Sequence, residues 1–380
     1  MKQGRITFNR PYWIGNETDL IAKAFENKWV SGDGPFTKKV EAMLVAQLQG
    51  PERVLLTTSC THALEMAAIL LDLTPGDEVI VPSYTFVSTA LAFVMRGATP
   101  VFADIRPDTL NIDEEQLPAL VSERTRAIVP VHYGGVGCEM EAIMELACKH
   151  NLVVIEDNAH GLYGRYRGRF LGTWGHLATQ SFHETKNITC GEGGALVIND
   201  PRYIERAEII REKGTNRTRF FRGQVDKYTW VDKGSSYVMS DILSAFLYGQ
   251  LSHAEDIQRA RRRVWEGYWH PLQAWAKENH IGLPTIPEHC EQAYHMFYLL
   301  MPSLEARNAL IQHLKSHDIA AVFHYLPLHQ SEMGHRHGKA PLGCPVTESV
   351  SDRLLRLPFF TAMDGETQQR VIDALLEFSC

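Results

Sequence analysis

With 380 residues, 44% hydrophobic and 22% charged, the chain has the make-up of an ordinary globular enzyme and enough length for two domains. Its formal net charge of −7 is spread without an acidic or basic tail, so no basic stripe marks a nucleic-acid binder. No apolar run reaches the ~20 residues of a membrane helix, residues 1–10 lack a secretory pattern, and seven cysteines without a CxxC pair point to reduced thiols in a cytoplasmic protein.

The first regular pattern begins at residue 53. Short β-branched runs predict strands at 53–57, 78–81, 99–102, 125–131 and 152–156. Amphipathic stretches between them predict helices at 62–71, 88–96, 114–121 and 139–150. Strand and helix in alternation form βαβ units and a mainly parallel sheet, and Pro75-Gly76-Asp77 and Arg106-Pro107-Asp108 punctuate them as turns. From Asp241 the pattern changes. A long charged helix is predicted over 240–269, strands over 296–301 and 320–324, and helices over 304–317 and 368–378. The expected fold class is α/β: a large, mainly parallel-sheet αβα domain at 1–250, then a smaller C-terminal α+β domain at 251–380.

Three motifs lie in order on the predicted sheet. In Thr57-Thr58-Ser59-Cys60-Thr61-His62 a strand hands over to a helix, and small hydroxylated residues at a helix N-terminus suit a phosphate; taken alone, an ordinary N-cap is the better explanation. In Val153-Val154-Ile155-Glu156-Asp157-Asn158-Ala159-His160 an apolar strand ends in Asp157 at the carboxyl edge of the sheet, where open α/β folds bind ligands. A helix-capping Asp would read the same. In Ser181-Phe182-His183-Glu184-Thr185-Lys186-Asn187, ahead of Gly191-Glu192-Gly193-Gly194, a Lys stands between an apolar strand and a glycine-rich turn. Desolvated there, its amine becomes nucleophilic, although most lysines are simply solvated. The coincidence of the three outweighs each bland alternative. The seventeen histidines include the close pairs His324/His329 and His335/His337, but no matching carboxylate set, so packing or surface roles and no metal site are expected.

Together these motifs resemble the DegT/DnrJ/EryC1/StrS sugar aminotransferases, fold-type I enzymes of antibiotic and surface-polysaccharide sugar pathways. The likeness runs from Ser31-Gly32-Asp33-Gly34 to 354–358. It implies pyridoxal 5′-phosphate as cofactor, with pyridoxamine 5′-phosphate as its aminated form. Lys186 matches the lysine that binds the cofactor covalently and shuttles a proton, and Asp157 the partner of the ring nitrogen. Phe86 matches the aromatic residue stacked on the ring, or is simple core. Cys60, Thr61 and Ser181 match the phosphate cup. His160 stands where the family often has Gln, near the ring hydroxyl, and an imidazole N–H donates the same hydrogen bond.

One departure concerns a second subunit. Family members commonly show Gly-x-Asn-x-Arg, whose Asn reaches the phosphate held by the neighbouring chain. Here Gly234-Ser235-Ser236-Tyr237-Val238 puts Ser236 in its place. The resemblance also implies a homodimer with shared active sites, L-glutamate as amino donor, and a nucleotide-linked 4-keto-6-deoxy sugar aminated at C4. The basic cluster Arg211, Lys213, Arg217, Arg219, Arg222 and Lys227, interleaved with Phe220, Phe221, Tyr228 and Trp230, suits a diphosphate and a base, or else a solvated face and a dimer contact. Lys213, Arg217, Arg222 and Tyr325 are the candidate substrate contacts. The competing readings are another C4- or C3-keto nucleotide sugar and a non-catalytic pyridoxal-phosphate-binding scaffold; a related dehydratase, with His at the lysine position, is disfavoured by Lys186.

Overall fold

Residues 4–379 are described by the computed structural model. After helices α1 (Glu17–Glu26) and α2 (Pro35–Leu48) come β1 (Arg53–Thr57), β2 (Glu78–Pro82), β3 (Thr99–Ala103), β4 (Thr125–Ile128) and β5 (Val153–Asp157). The small hairpin β6 (Arg165–Tyr166) and β7 (Arg169–Phe170) leads to β8 (Leu177–Ser181) and β9 (Gly194–Ile198). Seven strands join in the order β1-β9-β8-β5-β4-β2-β3, and within this sheet only β9 runs against its neighbours. The predicted α/β class and mainly parallel sheet are therefore present.

Alternation along the strands feeds two cores. Val79 and Val81 of β2, Phe102 of β3 and Ile155 of β5 pack on one face, while Ile80, Val101 and Val154 pack on the other. Helices cover both faces, which is why these strands read as continuous apolar runs. The helices are α3 (Cys60–Leu70), α4 (Ser88–Val94), α5 (Leu117–Leu120), α6 (Met140–His150), α7 (Ile204–Arg211), α8 (Arg217–Phe221), α9 (Asp241–Leu251) and α10 (Ala254–Glu278). The helix expected over 114–121 is thus one short turn. Pro118, which favours the first helical positions, leaves the residues before Leu117 outside the helix. The single helix expected over 240–269 is two. Leu247 and Leu251 of α9, with Ala254 and Ile257 at the start of α10, stay in the core around β1 and β9, whereas Val264, Tyr268 and Leu272 farther along α10 serve another.

That other core gathers β11 (Tyr298–Leu300), α11 (Leu304–Ser316), β12 (Leu354–Arg356) and α14 (Gly365–Leu376). Strand β10 (Cys290–Glu291) pairs back onto β6, and α12 (Glu332–His337) and α13 (Pro345–Arg353) complete the chain. Ile6 is buried in the same core, with its amide on the Asp318 carbonyl and its carbonyl accepting from Ala320. No strand spans 320–324. Val322 makes an isolated bridge to Arg356, after which the chain turns inward through His324 and Tyr325. We propose the domain division between α9 and α10, with Ile6 siding with the C-terminal core.

The entry of α2 depends on a distant acid. Buried Asp241 accepts from the amides of Phe36 (3.2 Å) and Thr37 (2.8 Å) and from the Thr37 hydroxyl (2.9 Å), satisfying free donors at a helix N-terminus. Asp241→Ala orphans those donors. It is expected to cost about 1–3 kcal/mol, read as a lower urea midpoint with an unchanged m-value.

Candidate active site

The carboxyl ends of β1, β5 and β8 open onto one cavity of about 510 Å³, as expected for an open α/β sheet. Alternation at the end of β5 sends two acids opposite ways. The carboxylate of Glu156, fully buried, accepts from the amides of Gly172, Trp174 and Gly175, each at 2.7 Å, and meets His132 Nε2 at 2.8 Å. Asp157 instead lines the cavity, where Oδ2 accepts from the Thr89 hydroxyl at 2.7 Å and Oδ1 from the Ala159 amide at 3.2 Å. Thr85 and Thr89 share a hydroxyl contact of 2.9 Å, so Asp157 is aimed by a short chain of buried hydroxyls.

Lys186 lies on the loop after β8, its amide on the His183 carbonyl at 3.0 Å. Its amine is withdrawn from water, which pushes its pKa down to about 8 against the opposing pull of Cys60 and Asp157. The first turn of α3 supplies the opposite wall. Ser59 caps it by accepting from the His62 amide (3.1 Å), and Thr61 and Ser88 touch through their hydroxyls (2.7 Å). The β9 backbone abuts this turn. A Cβ at Gly194 would stand 2.3 Å from the Ser59 carbonyl carbon and 2.4 Å from the Cys60 nitrogen, so only glycine permits the approach.

Three imidazoles form the remaining wall. His160 stacks on His295 (4.2 Å between centroids, 18° between planes), and His324 on Tyr325 (3.6 Å, 24°). Burial holds all three pKa values well below the ordinary histidine value; the Lys186 cation pushes the same way at each, joined by Arg356 at His160 and His324 and by Arg261 at His295. The Tyr325 hydroxyl lies 3.3 Å from His160 Nε2, while His160 Nδ1 is buried with no hydrogen-bond partner among the described residues.

The structure thus brings Cys60, Thr61, Asp157, Ser181 and Lys186 around one cavity, with Phe86, His160 and Tyr325. Phe86 is 56% exposed at its rim. Ser236, Lys213, Arg217 and Arg222 do not line it. Ser236 is exposed and bridges Glu212, Lys213 and Arg217 lie 3.8 and 3.9 Å from Glu212, and Arg222 makes paired bonds to Glu208. Arg211, part of the expected basic surface, is buried against Glu41 and Asp33. Thr89, His295 and Arg356 line the cavity without having stood out in the sequence, and His324, expected to be a packing or surface residue, faces it too. For His324 the turn in place of the expected strand is the physical reason.

These residues fit pyridoxal 5′-phosphate by donor chemistry. A helix N-terminus ringed by Ser59, Thr61 and Ser181 matches a phosphate, buried Asp157 a protonated ring nitrogen, and the unpartnered His160 nitrogen a further polar group. The amine itself is testable without cofactor. Lys186 is protonated below about pH 8 and neutral above it, so competitive acylation of the cofactor-free protein, read by peptide mass, is expected to titrate near pH 8. A midpoint near 10.4, the value of a solvated lysine, would contradict the burial described.

Comparison with known proteins supports one assignment. The spore coat polysaccharide biosynthesis protein SpsC of Bacillus subtilis is 32% identical over 97% of this chain and 96% of its own. The S. venezuelae protein DesV, solved in complex with a ketimine intermediate, superposes with a TM-score of 0.88 at 30% identity, covering 99% of this chain and 98% of that one. Helicobacter pylori PseC, an aminotransferase involved in the biosynthesis of pseudoaminic acid, gives 0.87 at 25% identity over 98% of each chain. The DegT/DnrJ/EryC1/StrS aminotransferase family itself matches residues 12–376, and the chain belongs to that family.

Proposed function

We propose that the chain moves an amino group from L-glutamate to C4 of a nucleotide-linked 4-keto-6-deoxy sugar, converting dTDP-4-keto-6-deoxyglucose to dTDP-4-amino-4,6-dideoxygalactose. Aminotransferases of this family use pyridoxal 5′-phosphate. One observation carries the reading: a desolvated Lys186 amine and a buried Asp157 carboxylate line the same cavity at the carboxyl edge of the sheet. The bound cofactor supplies an electron sink and carries the amino group from donor to acceptor.

The chain's residues do the rest. Asp157, held by Thr89 and the Ala159 amide, keeps a proton on the ring nitrogen. Cys60, Thr61 and Ser181 would hold the phosphate with the first-turn amides of α3, Phe86 would pack on the ring, and His160 would donate to the ring oxygen. Lys186, with its pKa near 8, exchanges a proton at the reacting carbon close to neutral pH. Arg356 is the guanidinium of the cavity wall, suited to the donor's carboxylate, with Tyr325 beside it.

The sugar reading draws on the polysaccharide and pseudoaminic acid roles in the names of SpsC and PseC. The nucleotide diphosphate fits Lys213, Arg217 and Arg222 in a homodimer, where these residues and Ser236 approach the partner's cavity. Phe221, Tyr228 and Trp230, 65%, 52% and 79% exposed, give that region the apolar surface of an interface. The compartment is the cytoplasm, in keeping with seven cysteines that show no disulfide spacing.

Lys186→Ala is expected to abolish turnover while the circular dichroism and melting profile stay native; normal turnover in the purified variant would reject the assignment. Asp157→Asn should retain cofactor yet slow the single-turnover reaction with glutamate by about 10²–10⁴-fold, the range for a displaced acid–base group. Among a panel of nucleotide keto-sugars, dTDP-4-keto-6-deoxyglucose should show the highest kcat/KM, with the product identified by mass and NMR. Preference for a C3-keto sugar would move the assignment to another member of the class.

A further inference from the structure

Away from the cavity, α11 and α14 meet along one edge of the C-terminal core, Leu310 and Leu314 packing with Val371 and Leu375. His313 stands in the last turn of α11, and His317 follows as its C-cap residue four positions on. Their rings are 4.6 Å apart between centroids. Glu377, just after the last turn of α14, brings Oε2 to 3.3 Å from His317 Nε2. Ring nitrogens of both histidines and a carboxylate oxygen of Glu377 lie within 4.8 Å of one another.

The hydrogen bonds decide which nitrogens are free. His313 Nε2 is 2.7 Å from the Ala374 carbonyl, which only accepts, so Nε2 carries the hydrogen and Nδ1 the lone pair. His317 Nδ1 is 2.9 Å from the His313 carbonyl and donates to it, which leaves Nε2, facing Glu377, as the nitrogen a metal ion would take in place of a proton. A ring N–H given to a backbone carbonyl is the outer arrangement that orients metal-binding histidines. The third group is held as well: Phe378, next in the chain, packs on the His313 ring and accepts from Trp275 Nε1 at 3.0 Å.

We propose that His313, His317 and Glu377 bind a late first-row divalent ion of the Zn²⁺ class. Two imidazoles and one carboxylate, without a thiolate, suit zinc, nickel or copper(II) over the oxygen-seeking magnesium and calcium. Tetrahedral bonds of ~2.0–2.1 Å place ligand atoms about 3.3 Å apart, and the His317–Glu377 separation of 3.3 Å already has that value. Three protein ligands leave a fourth position for water. Side chains of His317 and Glu377 are 38% and 64% exposed, so the ion enters from solvent. Once bound, it ties the end of α14 to α11 and stabilises the folded chain by mass action.

The test is titration of the holoenzyme with ZnCl₂ by calorimetry in a non-chelating buffer, together with His317→Ala and Glu377→Gln. The wild type is expected to show a saturable site with a Zn²⁺-dependent rise in Tm. Each variant should lose at least ~10-fold in affinity and the rise in Tm, at unchanged aminotransferase turnover. Should His317→Ala prove unstable, Glu377→Gln decides alone. Equal binding in wild type and variants would place the ion elsewhere and overturn the proposal, as would no saturable binding. Mg²⁺ competing on equal terms would overturn the assigned ion class.

Discussion

A carboxylate and an amine are drawn out of water into one cavity, and much of the molecule answers to that constraint. Neither charge is tolerated in a poor solvent without fixed partners. Asp157 has the Thr89 hydroxyl and the Ala159 amide. Lys186 is pulled toward its charged form by Cys60 and Asp157, yet desolvation outweighs that pull and leaves the amine near pKa 8. Burial also keeps His160, His295 and His324 neutral, so these three side chains add little positive charge beside Lys186 and Arg356.

Glu156 makes the placement of Asp157 unambiguous. The two acids are consecutive on a strand, so they face opposite ways. Three backbone amides and His132 hold Glu156 from below the sheet. A slip of one residue would turn Asp157 away from the cavity and strand those amides. The loop from Gly172 to Gly175, which packs closely on Val154, is therefore as much a part of the site's alignment as any residue that lines it.

The site is also where the two cores meet. Sheet ends supply Cys60, Asp157, Ser181 and Lys186, while Phe8, His295, His324, Tyr325 and Arg356 arrive from segments tied to the C-terminal core. The Asn187 side chain joins the sides: it donates to the Ala293 carbonyl at 2.6 Å, and its oxygen meets His295 Nδ1 at 2.9 Å. Any shift between the cores must act directly on the residue next to Lys186.

From the sequence alone came the mainly parallel sheet, the positions of five of its seven strands, and the three motifs at strand ends. All rest on short-range rules: apolar runs bounded by turns, hydroxyls at a helix start, a polar residue just past an apolar strand. What remained hidden depended on partners far along the chain. Arg211 looks like part of a basic surface until Glu41 and Asp33 are found against it, because a sequence displays charge but not its neutralisation. The break between α9 and α10, at Ser252 and His253, carries no Gly or Pro to mark it. His295, His324 and Arg356 sit in irregular or edge segments with no local pattern of their own. His313 and His317 share a helical spacing that the sequence does show, but Glu377 joins them only because α11 and α14 pack side by side. Periodicity and turn chemistry act over a few residues, and these were readable; convergence of distant side chains on a point is a property of packing, and only the tertiary structure decided it.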